Sequence, residues 1–129
     1  LEKRQRAFEE IVSPHRREFM RNELALGKFK NSEELFTLLL EGGLHKTETL
    51  YFLGELYRLR ADEGDFEKAI EAYDEAERSG EVPADLHRSK GLIQWRSGKK
   101  TEAKSSLSTY LQLKPNATDA KMIEAMLKG

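Results

Sequence analysis

Cysteine is absent from the 129 residues, which excludes a disulfide framework and thiol chemistry and suits the cytosol and the bacterial periplasm alike. Proline occurs only three times, so few positions interrupt a helix. No apolar run approaches the roughly 18 residues needed to cross a bilayer, and direct membrane insertion is not expected. The opening Leu1, Glu2, Lys3 and Arg4 lack the apolar stretch of a signal peptide, and a start on Leu in place of Met predicts processing or excision from a longer protein. A net charge of −1 and an isoelectric point near 6.4 leave no global footprint for nucleic acid or an anionic membrane, so nucleic acid is not an expected partner.

Signatures of chemistry are missing as well. His15, His45 and His87 have no second ligand at i+3 or i+4 with which to hold a metal. No glycine-rich phosphate loop, nucleophile elbow or paired-carboxylate constellation can be read. The sequence therefore predicts a non-enzyme with no catalytic residue, metal or cofactor.

What the chain does contain is 38% apolar and 35% charged residues, with a mean hydropathy of −0.70. Leu, Glu, Lys, Arg and Ala dominate, and these lose little side-chain freedom in a helix. The length suits one domain or one short solenoid. Three glycines organise it: Gly27, Gly64 and Gly98 precede amphipathic segments and are followed nine residues later by Phe36, Tyr73 and Leu107. A spacing of 37 and then 34 residues between them is the period of a helical array whose units bury their faces by stacking. The units are 13–46, 47–83 and 84–117, with a half unit at 118–129.

In the second unit, Leu50, Leu53, Gly54, Tyr57, Ala69, Tyr73 and Ala76 resemble the tetratricopeptide repeat family in type and spacing. The third unit supplies Gly91, Gly98, Ala103, Leu107, Tyr110 and Pro115, with His87, Lys90 and Gln94 where the family prefers bulky apolar residues. The first keeps Phe19, Gly27, Phe29, Phe36 and Leu39, and has Met20 where the family uses a small residue. The resemblance implies an all-α fold, antiparallel helix pairs stacked as a short right-handed solenoid of about seven to eight helices. A weaker resemblance, from Pro14 through Met122 and Ile123, is to helical-repeat regions of bacterial envelope proteins. Some of those follow a zinc-peptidase-like domain, and this likeness leans the compartment towards the periplasm or envelope. The His-Glu-x-x-His helix of such a domain is not in this chain.

Boundary residues agree with the period. Ser13 and Pro14 open a helix over 14–27. Asn31 or Ser32 opens the next, which Gly42 and Gly43 close. Thr47 or Thr49 starts the third, Asp65 caps the fourth, Gly80 ends it, Pro83 begins the fifth, and the sixth starts near Thr101. Lys114 and Pro115 stop the sixth, and Asn116 or Thr118 caps a last helix to about Leu127. Three extra residues between Tyr57 and Gly64 predict either a first helix one turn longer or a slightly longer loop. Residues 1–12 read as a helix that packs on the first unit or ends a preceding domain. Met122 and Met126, at i and i+4, read as core filler.

First helices in the resembled family line a concave groove and second helices the outer wall. Mapped by position, the groove takes Arg17, Arg21 and Leu24 from the first unit, Glu48, Tyr51, Glu55 and Arg58 from the second, and Asp85, Arg88, Leu92, Trp95 and Arg96 from the third. Arg, Tyr and Trp dominate interface hot spots, so the expected partner is a protein or peptide segment. The family's carboxylate clamp is not reproduced, since Arg21 stands where its asparagine belongs. Trp95 either lines the groove or packs under the final helix. Glu48 to Glu81 hold 11 acidic and 4 basic residues, which reads as a solvated face or as a surface for head-to-tail self-association.

Overall fold

A computed structural model describes residues 16–43 and 45–129. The readings for 1–12, Ser13, Pro14 and His15 lie outside the described residues. Seven helices occur among the described residues: α1 (Arg16–Ala25), α2 (Phe29–Gly42), α3 (Lys46–Arg60), α4 (Asp65–Ser79), α5 (Ala84–Arg96), α6 (Lys100–Leu113) and α7 (Ala120–Lys128). No strand occurs among them. The chain divides into two compact units, one ending at Glu81 and the other starting at Val82.

The three repeat glycines all sit in turns with positive φ, at 73°, 83° and 79°, a backbone region that only glycine enters without a steric penalty. Counting from each turn gives the packing rule of the fold. Five residues on, Ser32, Ala69 and Ala103 are all fully buried; nine residues on, so are Phe36, Tyr73 and Leu107. A small side chain lets the helices of a pair approach, and a large one a turn later fills the space beside it.

In the first unit, α3 and α4 form the closest pair. Gly54 faces the ring of Tyr73, and a Cβ there would lie 2.6 Å from its Cδ1. Thr47 and Ser79 join their hydroxyls at 2.7 Å across the open end of the pair. Met20 and Leu24 of α1, Phe36 and Leu39 of α2, and Phe52, Leu53 and Leu56 of α3 make the core that joins α1 and α2 to this pair.

In the second unit, Gly91 faces Leu107 as Gly54 faces Tyr73, with 2.7 Å from an added Cβ to Leu107 Cδ2. Leu107, Tyr110 and Ile123 form the core on which α7 rests. Gln94, polar where an apolar residue was expected, accepts a 2.8 Å bond from the Ser106 hydroxyl within the buried α5–α6 contact, so its burial is compensated.

Several boundary expectations need correction. Helix α2 begins at Phe29, and Ser32 is no cap: its buried hydroxyl points at the Glu23 carbonyl of α1, 3.5 Å away. Thr49 lies buried inside α3, which starts at Lys46. Gly64 precedes α4 as its N-cap, and the Asp65 carboxylate is engaged elsewhere. Neither Asn116 nor Thr118 caps α7; Asp119 precedes it, again without a side-chain cap. The extra residues of the second repeat do not add a turn of helix. Arg60 ends α3 six residues after Gly54, against five from Gly91 to Arg96, and the remainder forms the 61–64 turn.

That turn is pinned. Arg60 donates to both oxygens of Asp65 at 2.8 and 3.0 Å and to Glu33 of α2 at 3.0 Å, while the Asp62 amide donates to Asp65 at 2.9 Å. The Arg60 guanidinium holds the Asp65 carboxyl below the usual carboxylate range, against the opposing effect of burial. Tyr57 donates to Glu33 at 3.2 Å, and burial followed by the nearby Glu33 pushes its hydroxyl up.

Candidate partner-binding faces

Each first helix carries its candidate residues at i, i+4 and i+7: Arg17, Arg21 and Leu24 on α1; Tyr51, Glu55 and Arg58 on α3; Arg88, Leu92 and Trp95 on α5. This spacing puts each trio on one stripe. The environments within a stripe differ.

On the first unit, α1 and α3 touch, and Arg17 donates to Glu48 at 2.8 Å from one to the other. Arg21 is exposed, whereas Leu24 is buried in the core. Tyr51 is half-buried, edge-on to Phe52 at 5.0 Å and with its ring 6.4 Å from that of Tyr73. Glu55 is buried and receives both the Tyr73 hydroxyl and the fork of Arg58, at 2.6 and 3.3 Å. Burial works to lower the Arg58 pKa, but the bonds to Glu55 outweigh it and the guanidinium stays firmly charged. The result is a cation locked in one orientation, with about a third of its side chain facing solvent, a preorganised donor that loses little entropy on binding.

On the second unit, Arg88 is held by Asp119, which also accepts the Tyr110 hydroxyl at 3.0 Å. Arg88 keeps the Asp119 carboxyl below its usual range despite burial, and burial with Asp119 close by raises the Tyr110 hydroxyl. Leu92 packs half-buried on the Leu107–Tyr110–Ile123 core. Trp95 is half-buried, with the Lys100 ammonium 5.4 Å from its ring centroid. Arg96 and Asp85 are exposed, the latter paired with Lys114 at 3.1 Å. Met126 packs on the core, but Met122 is half exposed and does not fill it, because it lies one position round α7 from the buried Ile123.

Two side chains outside the predicted stripes shape these faces. Tyr73 of α4 reaches back to Glu55, and Lys100 of α6 reaches back to Trp95. The first was legible as a buried aromatic but not as a hydroxyl donor. The second is five residues after Trp95 across the Gly98 turn, a separation that a single-helix pattern does not register. Among the described residues no cluster of His, Asp and Glu is arranged to hold a metal ion, and no helix is long and apolar enough to cross a membrane.

No protein-family model matches the chain, and no curated protein does. Solved structures do. The chain is similar to SycD, a type III secretion chaperone of Yersinia enterocolitica, in its complex with a peptide of the translocator YopD. The TM-score is 0.70 at 17% identity, covering 87% of this chain and 86% of that one. It is similar to a second structure of the same chaperone with a TM-score of 0.70 at 17% identity, over 87% of this chain and 78% of that one. The fold is an all-α helical repeat of the tetratricopeptide kind.

Proposed function

We propose that this chain is a non-enzymatic scaffold that holds a segment of a partner protein against the exposed part of a first-helix stripe. The observation that carries this reading is the shared fold with SycD, whose structure contains a peptide of its own partner. The residues offered here are of the kind that such binding uses. Tyr51, Arg58, Arg88 and Trp95 are all half-buried: enough of each is fixed by the protein to limit the entropy lost on binding, and enough is accessible to bury further. Arg17 and Arg21 on the first unit and Arg96 on the second add exposed charge, which steers encounter more than it adds affinity. Glu55, buried on the first unit, orients Arg58.

Selection from a displayed peptide library, followed by titration of the recovered peptides, tests this. Binding near micromolar, about −8 kcal/mol, is expected; Tyr51→Ala and Arg58→Ala, for peptides held on the first unit, or Trp95→Ala, for those held on the second, should weaken it by more than about 1 kcal/mol while leaving the helical circular dichroism intact. Failure to recover any peptide, or peptides whose affinity ignores all three substitutions, would remove the scaffold reading.

A further inference from the structure

The two units carry opposite charge. From Val82 onward there are nine Lys and Arg against four Asp and Glu, a net of +5, and the residues up to Glu81 hold the balancing −6. Two of the four acids in the second unit are already engaged: Asp85 with Lys114 and Asp119 with Arg88. The surplus is concentrated at the corner where α5 turns into α6. Arg96, Lys99, Lys100 and Lys104 fall within nine residues, with Glu102 their one acidic neighbour in that stretch, and the first three are exposed.

The corner is built tightly. Gly98 turns the chain at φ 79°, its amide donating to the Trp95 carbonyl at 3.1 Å, and the Lys99 amide donates to the Gln94 carbonyl at 2.9 Å. This Schellman-type closure returns α6 beside the end of α5 and sets Lys100 over the Trp95 ring. Like charges gathered this closely repel one another, and an anionic partner relieves the repulsion. The Trp95 indole, with Lys100 against it, is only half-buried.

Building on the scaffold reading, we infer that the α5–α6 corner selects the chemistry of the partner: a peptide segment in which several Asp or Glu residues flank one large apolar side chain. The carboxylates meet Lys99 and Lys100, and the apolar group packs on the part of Trp95 that Lys100 leaves open. Charge complementarity makes the occupant acidic, and the indole makes it a side-chain-bearing peptide instead of a bare polyanion.

The test uses the full chain and four synthetic peptides of about a dozen residues. Three share a central Phe, flanked by Glu, by Ser or by Lys, and the fourth keeps the Glu flanks with Ala at the centre. Emission from Trp95, the one tryptophan, reports binding directly. The Glu–Phe peptide is expected to bind at least tenfold tighter than the Ser–Phe and Glu–Ala peptides. Its affinity should fall about tenfold from 50 to 500 mM salt as screening shortens to a few ångströms. The double substitution Lys99→Glu with Lys100→Glu, at exposed positions, should reverse the order of the Glu and Lys peptides. Equal binding of the Ser–Phe peptide, an unchanged order in the double variant, or tighter binding of an oligothymidine of matching charge would each overturn the inference. Library peptides recovered without acidic bias would overturn it too while the scaffold reading stood; recovery of no peptide at all would remove both.

Discussion

The α1–α2 pair and the α3–α4 pair keep the same register from their turn glycines yet divide their volume in opposite ways. In α3–α4 the first helix contributes no side chain at Gly54, and Tyr73 of the second fills the gap. In α1–α2 the first helix contributes Met20, 1% exposed, and the second contributes Ser32 and Phe36, both fully buried. Close packing constrains the summed volume of a crossing and not the residue at any one position. The pairs also differ in polar content. Phe36 has no polar atom, whereas Tyr73 ends in a hydroxyl bonded to Glu55, which in turn holds Arg58. The α3–α4 pair thus couples core packing to a candidate binding residue, and α1–α2 does not.

Removing the ring that both roles share breaks the comparison most severely. Tyr73→Ala should cost about 3–5 kcal/mol, the range for large buried aromatics, measured by urea denaturation. Tyr73→Phe separates the two contributions: it keeps the packing and removes a hydrogen bond to a charged group, for about 1.5–3 kcal/mol. A loss below about 0.5 kcal/mol would mean that Arg58 alone satisfies Glu55, and the polar half of the contrast would fall.

The turns sharpen the contrast next. Among the described residues no carboxylate clamps the Gly27 turn of α1–α2, while Asp65 closes α3–α4 through Arg60, and Asp119 plays a comparable part before α7 through Arg88. Both carboxyls titrate below their ordinary value when folded. The stability they add is therefore present above the unfolded value of about 3.9 and is lost as pH falls through the lower folded value. The midpoint of thermal unfolding should be flat near neutrality and drop below about pH 4. Asp65→Asn should cost about 1.5–3 kcal/mol at pH 7 and shallow that drop. An unchanged acid profile would show that Arg60 serves Glu33 alone.

Much of this architecture is legible in sequence because it depends on backbone geometry and side-chain size. A glycine at positive φ, a small residue five positions on and a large one nine positions on locate each crossing, and Ser32 fits that rule although it was read as a cap. The glycine stops at Gly43 and Gly80 and the start at Pro83 are legible, whereas polar side chains near other helix ends mislead because they are committed to tertiary partners. Asp65 binds Arg60, Asp119 binds Arg88 and Tyr110, and Ser32 faces the Glu23 carbonyl. The candidate stripes follow from helical spacing, but the depth of each member depends on a neighbouring helix. Leu24 disappears into the core, Glu55 is covered by Tyr73, and Trp95 gains Lys100 from across a turn, none of which is encoded in the stripe itself.

The smallest effects test whether volume is what the register conserves. Gly54→Ala adds a Cβ 2.6 Å from Tyr73 Cδ1. The ring cannot withdraw, being fully buried and tied through its hydroxyl to Glu55, so overpacking of about 1–3 kcal/mol should outweigh the roughly 0.8–1.0 kcal/mol that Ala gains over Gly in helix propensity. Ser32→Ala makes α2 match α4 and α6 at the small position. It removes only a long 3.5 Å contact to Glu23, so its expected change is within about 0.5 kcal/mol. One methyl group at the first crossing should thus matter more than one hydroxyl at the second. A Gly54→Ala variant as stable as the parent would show that α3 and α4 can move apart at little cost, and Tyr73 would no longer be the residue that sets their distance.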